Sequence, residues 1–185
     1  MMRVIRWVLR TGAIVVAVLF TLLLVRAFDA RRQPDLQVWH TIELEAEYRA
    51  DRVGDVDSWE DYLALEEALF EELRERVELA TDNTEGDLFN RYNPKSASYP
   101  DRAGQNFNRS YELAVEDPRG VAVLVHGLTD APYSLREIGE ALHADGIHVI
   151  SARMPGHGTV PAGLLTAQWA DWLEIVHLAS QRAWE

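Results

Sequence analysis

The sequence predicts an α/β fold built on a parallel sheet, preceded by an apolar helix and a mainly helical extension. Three observations carry that prediction. Apolar runs at 121–125 and 147–151 are each followed by a glycine-bearing loop and then a helical pattern, and strands alternating with helices form parallel sheets. An uncharged run, Thr11 to Val25, lies between Arg10 and Arg26. Between these parts, a helical period gives way to a stretch rich in turn-forming residues. The expected organisation is a membrane anchor over 1–30, an extension over 31–110 and the α/β portion over 111–185.

Of the 185 residues 48% are hydrophobic and 26% charged, the balance of a globular protein rather than a disordered one. The net charge is −12, yet residues 1–32 hold six arginines and one acid, so the acid excess lies in the body. An acidic body argues against nucleic acid as a partner, because phosphate binding needs a basic face. There is no cysteine, which excludes disulfides, thiolate metal sites, a cysteine nucleophile and a lipidated cysteine.

As a helix, the run from Thr11 to Val25 spans only ~22 Å. Extended back to Trp7 it spans ~28 Å, close to the ~30 Å hydrocarbon core of a bilayer. Arg10 then reaches up to the headgroups and Trp7 sits at their level. Residues 7–25 are therefore read as a bilayer-spanning signal anchor. A cleaved signal peptide is the alternative, although Val25-Arg26-Ala27 and Phe28-Asp29-Ala30 are poor small-x-small sites. Three arginines flank the run on each side, so the positive-inside rule has little to act on. The reading adopted is a single-pass protein of a bacterial inner membrane, its body facing the periplasm.

In the extension, Pro34 stops any continuing helix. Ile42, Leu44 and Ala46 alternate with Glu43, Glu45 and Glu47, which predicts a short half-buried strand. Trp59, Leu63, Phe70, Leu73 and Val77 recur at helical spacing. They predict an amphipathic helix that starts at a Ser58–Asp61 capping box and runs to about Ala80. Glu67, Glu71, Glu72 and Glu75 form its solvated face, with Glu72 and Arg76 placed to pair. Residues 81–110 read as a long irregular connection.

In the α/β portion, Tyr111 to Val115 predicts a strand and Asp117 to Gly120 a turn. Val121 to Val125 is continuously apolar, as in a strand buried on both faces. His126-Gly127-Leu128-Thr129-Asp130 follows it. The next helix is expected to be capped by Ser134 and Glu137, to bury Leu135, Ile138 and Leu142, and to end at Asp145-Gly146. Ile147 to Ser151 is the next strand and Arg153 to Gly158 a tight loop. A last helix starts near Gln168 and is expected to bury Trp169, Trp172, Leu173 and Val176. Ligands bind beyond the carboxyl ends of such strands, so His126-Gly127 and Pro155–Gly158 share one rim.

The run VAVLVHGLTDAPYSLREIGEALHADGIHVISARMPGHGT, residues 121–159, resembles the α/β-hydrolase superfamily. The nearest likeness is to its serine aminopeptidase, monoacylglycerol lipase and carboxylesterase branch. The likeness covers about residues 111–185, and H-G-L-T-D with R-M-P-G-H-G is a specific combination. It implies the N-terminal half of a hydrolase sheet, a small ester or acyl substrate and no cofactor. It also implies that the Leu128 backbone N–H forms half of an oxyanion hole. Acyl transfer builds negative charge on the former carbonyl oxygen, and one fixed donor is worth ~3 kcal/mol. Gly127 would let the backbone approach the substrate, and His126 would hold the loop. Thr129, Pro155, Gly156, His157 and Gly158 would shape the pocket. Two competing readings concern the histidines: His157 as the catalytic base, and His126 with His157 as a metal pair. The family's catalytic histidine comes near the end of the domain, and no acids flank the pair at ligand spacing.

The resemblance also implies a serine nucleophile on a G-x-S-x-G elbow, followed in chain order by the acid and the base. None of the seven serines has glycine at both −2 and +2. The expectation is a fragment of a membrane-anchored serine hydrolase acting on carboxylic esters or related acyl bonds, inactive alone. Epoxide and haloalkane hydrolases share the fold but usually carry proline soon after His-Gly; Thr129-Asp130 points away from them. The alternative from another class is a non-catalytic anchored remnant or pseudoenzyme that binds a partner. Fold analogy does not decide the chemistry. The two core strands are expected to leave a hydrophobic sheet edge open.

Overall fold

The computed structural model describes residues 2–33, 35–52, 56–81, 89–101 and 104–185. Pro34, to which the sequence assigns a helix stop, lies outside the described residues. The chain forms two units, Met1–Leu36 and Gln37–Glu185.

The first unit is one helix, α1 (Met2–Ala30). It runs past both ends of the 7–25 segment because the flanking arginines are good helix formers and no proline interrupts them. The stretch Arg3–Ala30 is long and apolar enough to cross a membrane, a test that a signal sequence also meets. At ~1.5 Å per residue it is ~42 Å long, so its ends outreach the ~30 Å of hydrocarbon. Thr11 and Thr21 donate their hydroxyls to the Trp7 and Ala17 carbonyl oxygens, at 3.0 and 2.9 Å. Lipid would leave such groups without any other partner.

In the second unit, α2 (Val38–Thr41) is a single turn and α3 (Trp59–Leu73) continues into a π-helical turn at Arg74–Glu78. The expected cap is present: Ser58 Oγ accepts the Asp61 N–H at 3.1 Å. The strand expected at Ile42–Ala46 does not form, although Leu44 is buried between two exposed glutamates. Among the described residues no strand pairs with it; the Glu45 and Ala46 N–H groups instead donate to the two carboxylate oxygens of Glu72, each at 2.9 Å. Glu72 is therefore not a solvated residue. Burial opposes its charge, but those two N–H groups and the paired Arg76 outweigh it and hold the carboxyl below its ordinary range.

Strands β1 (Tyr111–Leu113), β2 (Gly120–Val125) and β3 (Ile147–Ala152) form a sheet in the order β1-β3-β2. β2 and β3 are parallel, with Val123 opposite Ile150, as the strand–helix–strand alternation predicts. β1 departs from the parallel expectation: it runs antiparallel to β3, with Tyr111 opposite Ser151. β2 is an edge strand, so Val121 and Val125 stay 42% and 45% exposed rather than buried on both faces.

The helix α4 (Arg136–Ala144) joins β2 to β3 and packs on the sheet through Gly139. A Cβ there would stand 2.9 Å from the Tyr111 hydroxyl and 3.3 Å from Leu124. That close approach sets the buried face one position off the expected one, and Ile138 is exposed. The Ser134–Glu137 capping box is absent. Pro132 opens a 3₁₀ turn, Pro132–Leu135, in which Ser134 donates to the Ala131 carbonyl. Gly146 ends the helix at φ +78°, as expected of a glycine in that place.

On the other sheet face lies α5 (Trp169–Arg182), which buries Asp171, Ile175, Leu178 and Ala179. Trp169 and Leu173 are exposed. Asp171 turns inward because its carboxylate accepts the Ala50 and Gln168 N–H groups, both at 2.7 Å. The extension shares this core. Tyr48, Trp59 and Tyr62 pack with Ile150, Ala152 and Ile175, while Leu69, Leu73 and Tyr92 pack with Val160 and Ala162. Each fully buried aliphatic side chain contributes about 1.5–3 kcal/mol, so these side chains of the extension hold it to the α/β portion.

Candidate functional site

The sequence-predicted site residues converge on the rim beyond the carboxyl ends of β2 and β3. Leu128, Thr129, Gly156, His157 and Gly158 line one cleft of about 350 Å³. His126 and Pro155 lie buried under it, and Gly127 sits in the exposed turn beside it. A Cβ at Gly127 would meet nothing within 4 Å, so the missing side chain opens on solvent rather than on protein.

Each histidine ring is committed to backbone. Met154 donates its N–H to His126 Nε2 at 3.0 Å. That fixes the proton on Nδ1, which donates to the Gly127 carbonyl at 3.0 Å. Burial pushes the His126 pKa below its ordinary 6.5, assisted by the nearby His157 and Arg153 and opposed by the Gly127 carbonyl and Asp130. His157 lies against the first ring at 5.0 Å between centroids. Its Nε2 meets the Leu128 carbonyl at 2.7 Å and its Nδ1 the Pro155 carbonyl at 3.1 Å. These rings brace the two rim loops against each other. Both His157 ring nitrogens thus face backbone carbonyls. Among the described residues no group of three or more His, Asp or Glu is arranged to hold a metal ion.

Further bonds tie down the Pro155–Gly158 loop. Trp172 Nε1 donates to the Pro155 carbonyl, Arg153 Nη1 to that of His157 and Arg91 Nη2 to that of Gly158, at 3.0, 3.0 and 3.2 Å. Gly156 and Gly158 have φ +81° and +74°. A Cβ on the first would stand 2.9 Å from Ala167 Cβ, and on the second 2.9 Å from the Asn108 carbonyl. Only glycine serves both the left-handed backbone and the close approach.

The Leu128 carbonyl is bound by His157, three residues past the end of β2. Among the described residues nothing accepts from the Leu128 N–H, and the same holds for the N–H groups of Thr129, Gly156 and Gly158, which line the same cleft.

Beneath the rim lies an ionic cluster that the sequence reading missed. Arg153, 1% exposed, donates to Glu66 Oε1 and Glu47 Oε1, each at 2.9 Å. Ser110 bonds Glu66 through both N–H and hydroxyl, and its Oγ accepts the Arg153 N–H. Tyr62 donates to the Arg153 carbonyl at 2.6 Å. Burial raises the Glu66 pKa, against the pull of Arg153 and Ser110. The signal was available: Glu66 lies four residues from Tyr62 and seven from Leu73, on the apolar stripe of α3. Arg91, Asn108 and Tyr133, which also line the cleft, had no such signal, because irregular segments bring them there.

No protein-family model matches this chain, and no curated protein does. One solved structure similar to part of it comes from work on LipS and LipT, two metagenome-derived lipolytic enzymes described as increasing the diversity of known lipase and esterase families. The identity is 27% and the TM-score 0.39, over 42% of this chain and 31% of that one. The chain thus spans about a third of that structure's length.

Proposed function

We propose that this chain carries the oxyanion side of an acyl-transfer site, in a membrane-attached α/β-hydrolase that cleaves carboxylic esters or related acyl bonds. The observation that carries the reading is the Leu128 N–H. It lies three residues past a parallel strand at a 350 Å³ cleft and lacks an acceptor among the described residues, as do the Thr129, Gly156 and Gly158 N–H groups; the H-G-L-T-D resemblance is what selects it among them. The pairing of H-G-L-T-D with R-M-P-G-H-G supports the same chemistry. α1 attaches the protein to the bilayer through residues 7–25, with the body on the periplasmic side.

On this reading the serine, acid and base come from outside residues 1–185, since no serine here has an elbow context. The exposed edge of β2 is where further sheet would add. The test uses the whole reading frame that contains these residues, beside residues 1–185 alone. Both are treated with a serine-directed fluorophosphonate and with p-nitrophenyl esters of short and long acyl chains. The whole frame labels and turns esters over; residues 1–185 do neither. Stoichiometric labelling of residues 1–185, or an inert whole frame, overturns the proposal, and the second result favours a binding module instead.

A further inference from the structure

Arg91 lines three neighbouring clefts, of about 540, 350 and 370 Å³. Among the described residues no carboxylate pairs with it. It is fixed by its bond to the Gly158 carbonyl at 3.2 Å and by the Tyr92 ring, 5.8 Å from its guanidinium carbon. Its side chain is exposed, so the guanidinium borders open space at these clefts.

The largest cleft adds to this. It is lined by Arg91, Arg136, Tyr99, Phe107, Asn108 and Tyr133, among others, and no Asp or Glu among the described residues lines it. Among the described residues two carboxylates are bonded to its lining residues, and Glu140 offsets the charge of Arg136. Glu78 accepts from the Tyr99 hydroxyl at 2.8 Å, and Glu140 from Arg136 at 2.7 Å. Arg136 also stacks on Phe107 at 4.2 Å. With Arg136 paired to Glu140, Arg91 is the lining cation without a carboxylate partner among the described residues. A guanidinium beside aromatic walls suits an anion carried on an apolar body, because it binds carboxylate or phosphate by a two-pronged bond. Arg91, Asn108 and Tyr133 border this cleft and the one at Leu128 alike. Asp130 lines only the smaller one, so among the described residues Arg91 shares the larger cleft with no lining carboxylate.

We infer that the larger cleft holds the anionic end of the substrate while the scissile carbonyl lies at the Leu128 rim. The substrate class is then an ester or related acyl compound bearing a carboxylate or a phosphate. The identity of the bond cleaved rests on the acyl-transfer reading; the anion site does not.

The test is calorimetric titration of the full chain, in detergent micelles, with phenyl phosphate, phenylacetate and neutral benzyl alcohol. One or both anions bind, and which one does names the anionic group; benzyl alcohol gives no comparable heat. Arg91→Gln weakens anion binding about tenfold, the loss of one charge-assisted contact, and Arg91→Lys retains part of it. The far-ultraviolet spectrum and melting midpoint of each variant are required to match the parent. Anion binding unchanged in Arg91→Gln, equal binding of benzyl alcohol, or no binding of either anion overturns the inference. A second arm compares mono-p-nitrophenyl succinate with p-nitrophenyl butyrate on the whole reading frame. If anions bind but neither ester turns over, the acyl-transfer reading fails and the anion site stands. If esters turn over without anion binding, the inference fails alone.

Discussion

His126 shows at residue scale how the site is held. Its Nε2 accepts the Met154 N–H, so a proton on that nitrogen would break the bond between the two rim loops. Burial lowers its pKa from the ordinary 6.5. A histidine that binds its proton less readily when folded contributes its full stability above 6.5, and that contribution is lost as pH falls from 6.5 towards the folded value. His157, Asp130 and Arg153 also face the ring and are common to any comparison with a variant. Urea midpoints measured from about pH 7.5 to 5 therefore fall more for the parent than for His126→Gln; parallel curves would refute this role. Gly156 gives a second test. Its φ of +81° and the 2.9 Å approach to Ala167 leave no room for a side chain. Gly156→Ala loses at least the ~1–2 kcal/mol of left-handed strain, read as a lower melting midpoint, and an unchanged midpoint would refute the packing described. The conformation of Gly156 was foreseeable from the P-G-H-G run, whereas its contact with Ala167 depends on the loop's return and was not.

Among the elements, α3 shows what local pattern can and cannot reveal. Its start at Ser58 and its stripe from Trp59 to Val77 were legible, because helix periodicity and caps are local. Its partners were not, because Glu66 meets Arg153 across 87 positions and Glu47 meets it across 106. The same limit explains α5 and the Ile42–Ala46 segment. Asp171 and Glu72 each satisfy distant N–H groups, and those bonds decide which face turns inward and whether a ladder forms. The Arg153 cluster yields an element-scale prediction. Arg153→Ala leaves Glu47 and Glu66 buried without their cation, at a cost of about 3–5 kcal/mol. The triple variant Arg153→Met, Glu47→Gln, Glu66→Gln recovers much of that loss in urea denaturation, since replacing a whole buried ion cluster is often neutral. A triple variant as unstable as the single one would show that the ion pairs themselves hold the extension.

For the whole molecule, the α/β character and the parallel β2–β3 pair were legible from two apolar runs and the helix between them. The antiparallel β1 and the edge position of β2 were not, since strand order depends on contacts that no single strand encodes. Of the site, the motif residues were legible as a group. The cleft's other walls come from the extension and from turns, where composition says little about position. The role of that extension follows from the packing: Tyr48, Trp59, Tyr62, Leu69, Leu73 and Tyr92 share the two apolar clusters with the α/β portion, and Glu47 holds Arg153 beneath the rim. In the proposed function this rim offers the Leu128 N–H to a developing oxyanion. The most direct measurement is ester turnover by the whole reading frame carrying Leu128→Ala or Leu128→Pro, with melting midpoints matched to the parent. Alanine keeps the N–H and proline removes it. An oxyanion role for this N–H gives near-parental kcat in Leu128→Ala and a loss of about 10²–10³ in kcat in Leu128→Pro, with KM little changed. Equal turnover by the two variants would contradict it.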